Sequence, residues 1–428
     1  MSRKSATRVV ALGVVAAVGL AIAAPAGASA PAADPGVSSS QIVVGTTMPL
    51  TGPASPGYKD IAPASAAYFN YVNANGGIYG RKIKYVVCDD KYNPAETRKC
   101  TSQLILRDKI FAMFGALGTP THSAVVADLN RRGIPDVFVN TGGVAFDNVS
   151  KYPKTFPYFP SYTVEAKVMA YYIQNDSTLS SKKRCLFYQD GEFGENASTG
   201  FNAAGLTFAA ETSYFSGQQA AGFASQLTKL KASGCQLVVF FGVTSATVAL
   251  LKTAAALSFS PTWMITSVGS DPSIVGASLG AAANATLKGI YTPSFLVPIQ
   301  DKGNAYVSQM KVIADKSGLP WNFYTYYGIN AAYVFAQALK AAGKNLTRNG
   351  FVNALQTKAS TFRSAGIVPM VINSRSHQGL TGYYMGQYNG SGEVVRLTSY
   401  IMTATSASTG TAKKSTFRPG APTSKLLP

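Results

Sequence analysis

Short β-branched runs alternate with helix-like segments along this chain, pause once, and begin again. That rhythm limits the possible folds more than any other feature. Ile42–Met48, Ile83–Cys88, Ile110–Gly115 and Val137–Asn140 are short, apolar and bounded by Gly, Pro, Asn or Asp, and they read as strands. The spacing predicts helices over Ala62–Asn75, Pro94–Arg107 and Ser123–Arg132. Asn75-Gly76-Gly77 supplies the left-handed residue that a helix C-terminus takes, and Pro94 with Glu96 suits a first turn. Strands alternating with helices imply a parallel sheet covered on both faces.

The pause is "KYPKTFPYFPSY", Lys151 to Tyr162. A second set of strands follows at Cys185–Gln189, Thr212–Phe215, Leu237–Phe241, Trp263–Ser267 and Gly289–Thr292, with helices expected near 194–205, 222–233 and 245–257. The chain is therefore α/β, with two Rossmann-like lobes. Long helical patterns over Tyr327–Ala342 and Arg348–Lys358 come next, and Val368–Leu397 suggests a few antiparallel strands.

The N-terminus reads as an export signal. Arg3, Lys4 and Arg8 precede an apolar run over Val9–Ala24, and Ala28-Ser29-Ala30 is a cleavage pattern that places the cut after Ala30. The run is short for a membrane span, and no cysteine follows it to make a lipid anchor. Residues 31–40 are a linker, and 403–428 are expected to be a flexible basic tail that includes Lys413, Lys414, Arg418 and Lys425. The formal charge of +19 falls to +16 without the signal and is spread thinly. It forms no basic stripe interleaved with aromatics, which argues against nucleic acid.

All four cysteines lie in the exported part, where disulfides persist. Cys88 ends a strand and Cys100 lies in the next helix, so a local bridge is expected. In a doubly wound sheet of order 2-1-3-4, strands one and three are neighbours. Cys185 and Cys235 then stand at the same end of adjacent strands, and the expected pairs are 88–100 and 185–235.

Ligands of open α/β sheets bind beyond the carboxyl ends of the strands. In the first lobe those positions hold "PLTGPASPGYKD", "GALGTPT" and "NTGG"; in the second they hold "DGEFGEN", "GVTSA" and "SVGSDPS". Gly, Ser, Thr, Asn and Tyr dominate, which offers backbone N–H groups and hydroxyls to a polar ligand. Enzyme readings find little support. Only His122 and His377 are available to a triad; His122 reads as a solvated helix-start residue and His377 as part of a surface turn. "GASLG" around Ser278 matches a nucleophile elbow but lacks the strand before it. No nucleotide-binding glycine motif is present, so no cofactor is expected. Asp89-Asp90 reads as a turn and capping pair, and no metal is expected.

"VGTTMPLTGPAS", "NYVNANGGIYGRKIKYVVCDDKYNPAET" and "IYTPSF" together resemble the periplasmic Leu/Ile/Val-binding proteins, the substrate-binding components of branched-chain amino-acid-type ABC importers. The likeness spans roughly residues 41–400. It implies a type I periplasmic binding protein, in which two lobes are joined by a three-segment hinge. Lobe 1 would comprise 41–161 with about 293–365, and lobe 2 would comprise 162–292 with about 366–402. It further implies that Thr119, reached through Leu117 and Gly118, offers a hydroxyl to the ligand head, and that Asn140, Thr141 and Gly142 offer backbone N–H groups. Tyr58 matches a tyrosine that packs on the ligand, and Phe193 an aromatic from the facing lobe. Where amino-acid binders place a carboxylate for the ligand ammonium, this chain has Ser267; Asp271, Asp190 and Glu192 are the substitutes nearby.

The expected function is a non-catalytic, monomeric, extracytoplasmic receptor. It would capture an amino acid, amide or small carboxylate and deliver it to a membrane permease. A sensing module with the same cleft and a hydrolase using Ser278 are the competing readings.

Overall fold

Each sheet is built around short apolar strands that are buried throughout. Strand β8 (Leu237–Phe241), for example, is buried at every position. The structure, a computed structural model, describes residues 1–2, 5–9, 34–416, 421–423 and 425–428. The signal's Arg3, Lys4, most of its apolar run, the Ala30 cleavage site, linker residues 31–33 and Arg418 lie outside the described residues. The chain divides into Met1–Ala33 and Asp34–Pro428, and every element named below belongs to the second unit.

The first sheet contains β1 (Gln41–Met48), β2 (Lys82–Asp89), β3 (Ala112–Phe114), β4 (Asp136–Val139) and β5 (Thr155–Pro157), in the order β2-β1-β3-β4-β5. All its pairings are parallel. The second sheet takes β6 (Arg184–Gln189), β7 (Ala210–Tyr214), β8, β9 (Thr262–Ile265) and β10 (Tyr291–Ser294). It then adds β11 (Gly382–Tyr388), β12 (Val394–Arg396), β13 (Ile401–Thr403) and β14 (Lys413–Ser415). Its path is β14-β13-β11-β10-β9-β8-β6-β7, parallel up to β10 and antiparallel beyond. Both lobes therefore repeat the doubly wound order, with the switch point between the first and third strands.

Helix Phe323–Ala342 returns to the first lobe, where it lies on helix Ile61–Ala74 and sets Phe335 against Phe114 with ring centroids 4.5 Å apart. Its N-terminus is capped by Asn322, whose side chain accepts from Thr325 N. The sequence pattern begins this helix four residues late, because "FYTY" is aromatic on every face.

Three chain segments cross between the lobes and bond to one another. Val297 N donates to Ala365 O at 2.8 Å, and Gly379 N donates to Pro157 O at 2.8 Å. Asn330 ties the crossings together: its Nδ2 donates to Tyr158 Oη at 2.7 Å, and its Oδ1 accepts from Ala365 N at 2.8 Å.

Disulfides join Cys88 to Cys100 and Cys185 to Cys235, each within one lobe. The adjacency that explains the second is direct, since β6 pairs with β8. Described parts of the segment expected to be a tail pack on the rest of the chain. Lys413–Ser415 forms β14 against β13, and Lys167 Nζ donates to the carbonyls of Thr405, Ala407 and Thr409. Leu426 is buried, and its carbonyl accepts from Tyr68 Oη of the first lobe at 2.8 Å.

Both histidines are interior. His122 Nε2 meets Asp136 Oδ2 at 2.8 Å in a buried pair, not in solvent. His377 stacks on Phe156 with centroids 3.9 Å apart, and burial holds its imidazolium below the usual range. Local sequence around each is polar, so neither burial was visible in it.

Candidate functional site

The carboxyl ends of both sheets face one another across a cavity of ≈ 50 Å³. In the first lobe, Asp89 fixes the loop after β1 by accepting from Leu50 N (3.0 Å), Thr51 N (3.2 Å) and Thr51 Oγ1 (2.6 Å). Asp90 accepts from Tyr92 N and Thr97 Oγ1, each at 3.0 Å. Gly57, at φ +84°, lets the Tyr324 ring approach to a distance that a Cβ would fill. Gly118, at φ +104°, does the same for the Tyr92 ring.

The turn after β3 is wired internally. Thr121 Oγ1 donates to Leu117 O at 2.6 Å, and Ser123 Oγ donates to Thr119 O at 2.8 Å. Thr119 Oγ1 meets Thr141 Oγ1 at 2.6 Å, and Thr141 Oγ1 meets Tyr162 Oη at 3.2 Å. Asn140 Nδ2 donates to Gly115 O at 3.0 Å, while its Oδ1 accepts from the Tyr327 phenol.

Tyr58, Leu117, Gly118, Asn140, Phe193 and Ser267 all line the cavity. Thr119, Thr141 and Gly142 stand behind its wall, joined to the lining residue Tyr162 by the hydroxyl chain and by the bond from Tyr162 N to Gly142 O. Sequence reasoning missed Tyr92, Phe159, Tyr162, Phe323, Tyr324 and Tyr327, which also line it. Three of these open the helix read as starting at Tyr327, and two fall in the aromatic pause. The usable signal was Tyr324 and Tyr327, spaced to share one helix face.

No lining residue carries a charged side chain. Burial raises the phenols of Tyr58, Tyr162, Tyr324 and Tyr327 above their ordinary range, so they remain neutral donors. Asp271 is committed elsewhere. Its Oδ1 accepts from Ser273 N and Ile274 N, each at 2.9 Å, and its Oδ2 accepts from Phe323 N of the other lobe at 2.9 Å. Glu192 Oε1 accepts from Ala145 N at 3.2 Å, and Asp190 is exposed.

The carboxylate nearest Ser267 is Glu165, which sequence reasoning also missed. It accepts from Ser267 N (2.6 Å), Thr266 Oγ1 (2.9 Å) and Tyr383 Oη (3.3 Å). Complete burial pushes its carboxyl up to about 7, against those hydrogen bonds, which favour the ionised form. The Ser267 hydroxyl is buried and makes no hydrogen bond of good geometry.

The lobes touch above the cavity. Tyr58 Oη and Tyr324 Oη both donate to Val268 O, at 2.7 and 3.0 Å. Thr244 Oγ1 meets Tyr324 Oη at 2.5 Å, and Ser245 Oγ donates to Pro53 O at 2.6 Å. Ser278 is remote from this chemistry: it is exposed on helix Pro272–Leu279 and donates to Ile274 O at 3.2 Å. Among the described residues no helix is long and apolar enough to cross a membrane, and no group of three His, Cys, Asp or Glu residues could hold a metal.

The family model described as "Periplasmic binding protein" matches residues 41–393. The chain belongs to that family. Solved structures agree on the fold. A substrate-binding periplasmic protein from Ralstonia solanacearum superposes with TM-score 0.74 at 22% identity, covering 83% of this chain and 99% of its own. A branched-chain amino acid ABC transporter protein from Thermus thermophilus with bound valine gives 0.73 at 20%, covering 84% and 96%. A fatty acid ABC transporter substrate-binding protein from Thermomonospora curvata gives 0.74 at 20%, covering 85% and 93%. No curated protein sequence matches at a significant level. At these identities the likeness establishes a periplasmic binding protein of type I and stops there.

Proposed function

We propose that this periplasmic binding protein captures a small ligand between its lobes outside the cytoplasm and hands it to a membrane ABC permease. The observation that carries the reading is the pair of phenols, Tyr58 and Tyr324, which close over the lined cavity onto a carbonyl of the facing lobe. A cleft sealed by contacts between two lobes that narrow crossings join suits reversible hinge closure. The ligand shifts the balance toward the closed form by the affinity it gains only there. The solved structures fit this, since one holds valine and another is named for fatty acids.

The roles follow the wall. A polar head meets the wall at Tyr162, which the Thr119–Thr141 hydroxyl pair and Gly142 hold from behind. Tyr58 packs on the ligand from the first lobe, and Phe193 and Ser267 reach it from the second. The chain acts as a monomer, exported by a signal peptide cut after Ala30.

The test is a thermal-shift screen of the mature chain over amino acids, amides and carboxylates, followed by small-angle scattering on each hit. A ligand at one hundred times its Kd adds about 2.7 kcal/mol of stability and is readily seen. A hit should also lower the radius of gyration, and Thr119→Ala should weaken it by more than the modest stability loss that breaking the Thr119–Thr141 bond brings to the free protein. Hits that leave the radius unchanged, or wild-type affinity in Thr119→Ala, overturn the reading.

A further inference from the structure

The inner cavity is too small to be the whole site. Roughly 150 Å³ of dry cavity admits a benzene ring, and this chamber offers ≈ 50 Å³. A carboxylate or carboxamide group fits that space; a leucine-sized molecule does not.

Beside it lies a second cavity of ≈ 600 Å³ between the lobes. Ser267 and Phe323 line both, so the two spaces share a wall at those residues. Much of the outer surface is apolar: Val297, Ile299, Val307, Val312, Trp321 and Val394 face it from the second crossing, the helix Ala305–Lys316 and the second sheet. Its charges are of both signs and mostly occupied. Lys311 is paired with Asp315 at 2.7 Å, Asp271 is committed to two helix ends, and Glu393 accepts from Asn389 Nδ2 at 3.2 Å.

The junction carries the decisive group. Ser267 lines both cavities, and its buried hydroxyl lies beside the Glu165 carboxyl and the Tyr383 phenol without a well-aligned hydrogen bond to either. A buried hydroxyl held only by poorly aligned neighbours gains from a ligand atom placed to take its proton.

Resting on the binding-protein reading above, we infer that the ligand is a straight-chain carboxylate or carboxamide that spans both cavities. Its polar head fills the inner chamber and accepts from Ser267 Oγ. Its chain passes Phe323 and lies along the apolar wall of the outer cleft, over Trp321. A compact zwitterion would leave the larger cavity empty and find no carboxylate lining the inner chamber for its ammonium.

The experiment uses the mature chain and straight-chain carboxylates of two to ten carbons, with valine, leucine and isoleucine as the competing arm. Affinity should rise about fourfold per methylene once the chain leaves the inner chamber. Emission from Trp321 should change with those longer chains and not in Trp321→Phe; Trp263, the other tryptophan, is buried in the second lobe. Val312 is half exposed, so Val312→Arg is expected to fold; it should abolish the gain with length and leave the shortest members unaffected. Affinity that stays flat with chain length, or a length series unchanged by Val312→Arg, overturns the inference. Tight binding of the amino acids alone also overturns it while leaving the binding-protein reading intact. Failure of every compound counts against both.

Discussion

The turns that follow β3 and β8 hold the same place in the same strand order, and they use their hydroxyls in opposite ways. After β3, Thr121, Ser123 and the Thr119–Thr141 pair bond within the first lobe. After β8, Thr244 and Ser245 reach across the cleft to Tyr324 and Pro53. One turn is a wall completed before any ligand arrives. The other makes contacts that exist only when the lobes meet. Substitutions in the first should therefore alter folding stability, and those in the second should alter the balance between open and closed forms.

The largest expected effect concerns how firmly each lobe is stapled. The bridged cysteines are 12 residues apart in the first lobe and 50 in the second. The chain-entropy model gives about 3 and about 4 kcal/mol respectively. Replacing Cys185 and Cys235 by alanine should lower the calorimetric melting temperature more than replacing Cys88 and Cys100. The reverse order would show that the lobes differ in packing, not in chain restraint.

Next comes pH. Glu165 binds its proton more tightly folded than unfolded, with a carboxyl near 7 against an ordinary value of 4.5. Its contribution to stability is complete below about 4.5 and is lost as pH rises through 7, a fall of about 3 kcal/mol. Asp90, pushed up to about 6 by burial in the first lobe, acts in the same direction over a lower window. Urea titrations at pH 5 and pH 8 should show wild type losing more stability than Glu165→Gln. Equal losses would remove Glu165 from the account.

Smaller effects separate wall from closure. Tyr324→Phe removes the phenol shared by Thr244 and Val268 and should take about 1–2 kcal/mol from the closed form. That appears as a larger radius of gyration and faster ligand release. Thr141→Val should cost a similar amount in urea, through the unpaired hydroxyls of Thr119 and Tyr162, with the radius unchanged. Ser245→Ala should shift closure least, by about 0.5–1 kcal/mol, and a loss larger than that of Tyr324→Phe would invert the assignment.

Much of the scaffold was legible. Strand runs such as Leu237–Phe241 and the adjacency behind Cys185–Cys235 follow from period and strand order, which are local signals. The site was legible only where a loop follows a strand, as at Tyr58, Gly118 and Asn140. Tyr162, Phe323, Tyr324 and Tyr327 come from the crossings and from a returning helix start, so only the folded path brings them to the cavity. Glu165 was invisible for a related reason. Within "SYTVEAK" it looks like a solvated helix-start acid, and what buries it is a turn about one hundred residues later in the chain.

The tail has a consequence for how far the lobes can swing. Ser415 ends a strand of the second sheet, and Leu426 is seated against Tyr68 of the first lobe. Ten residues lie between those anchors, and a fully extended chain of that length spans at most about 36–40 Å. The C-terminal stretch is thus a covalent link between the two lobes. Opening that carried the anchors beyond that span would pull Leu426 from its seat or strip β14 from β13. An upper bound on the travel of the hinge is then set by chain length outside the three crossings.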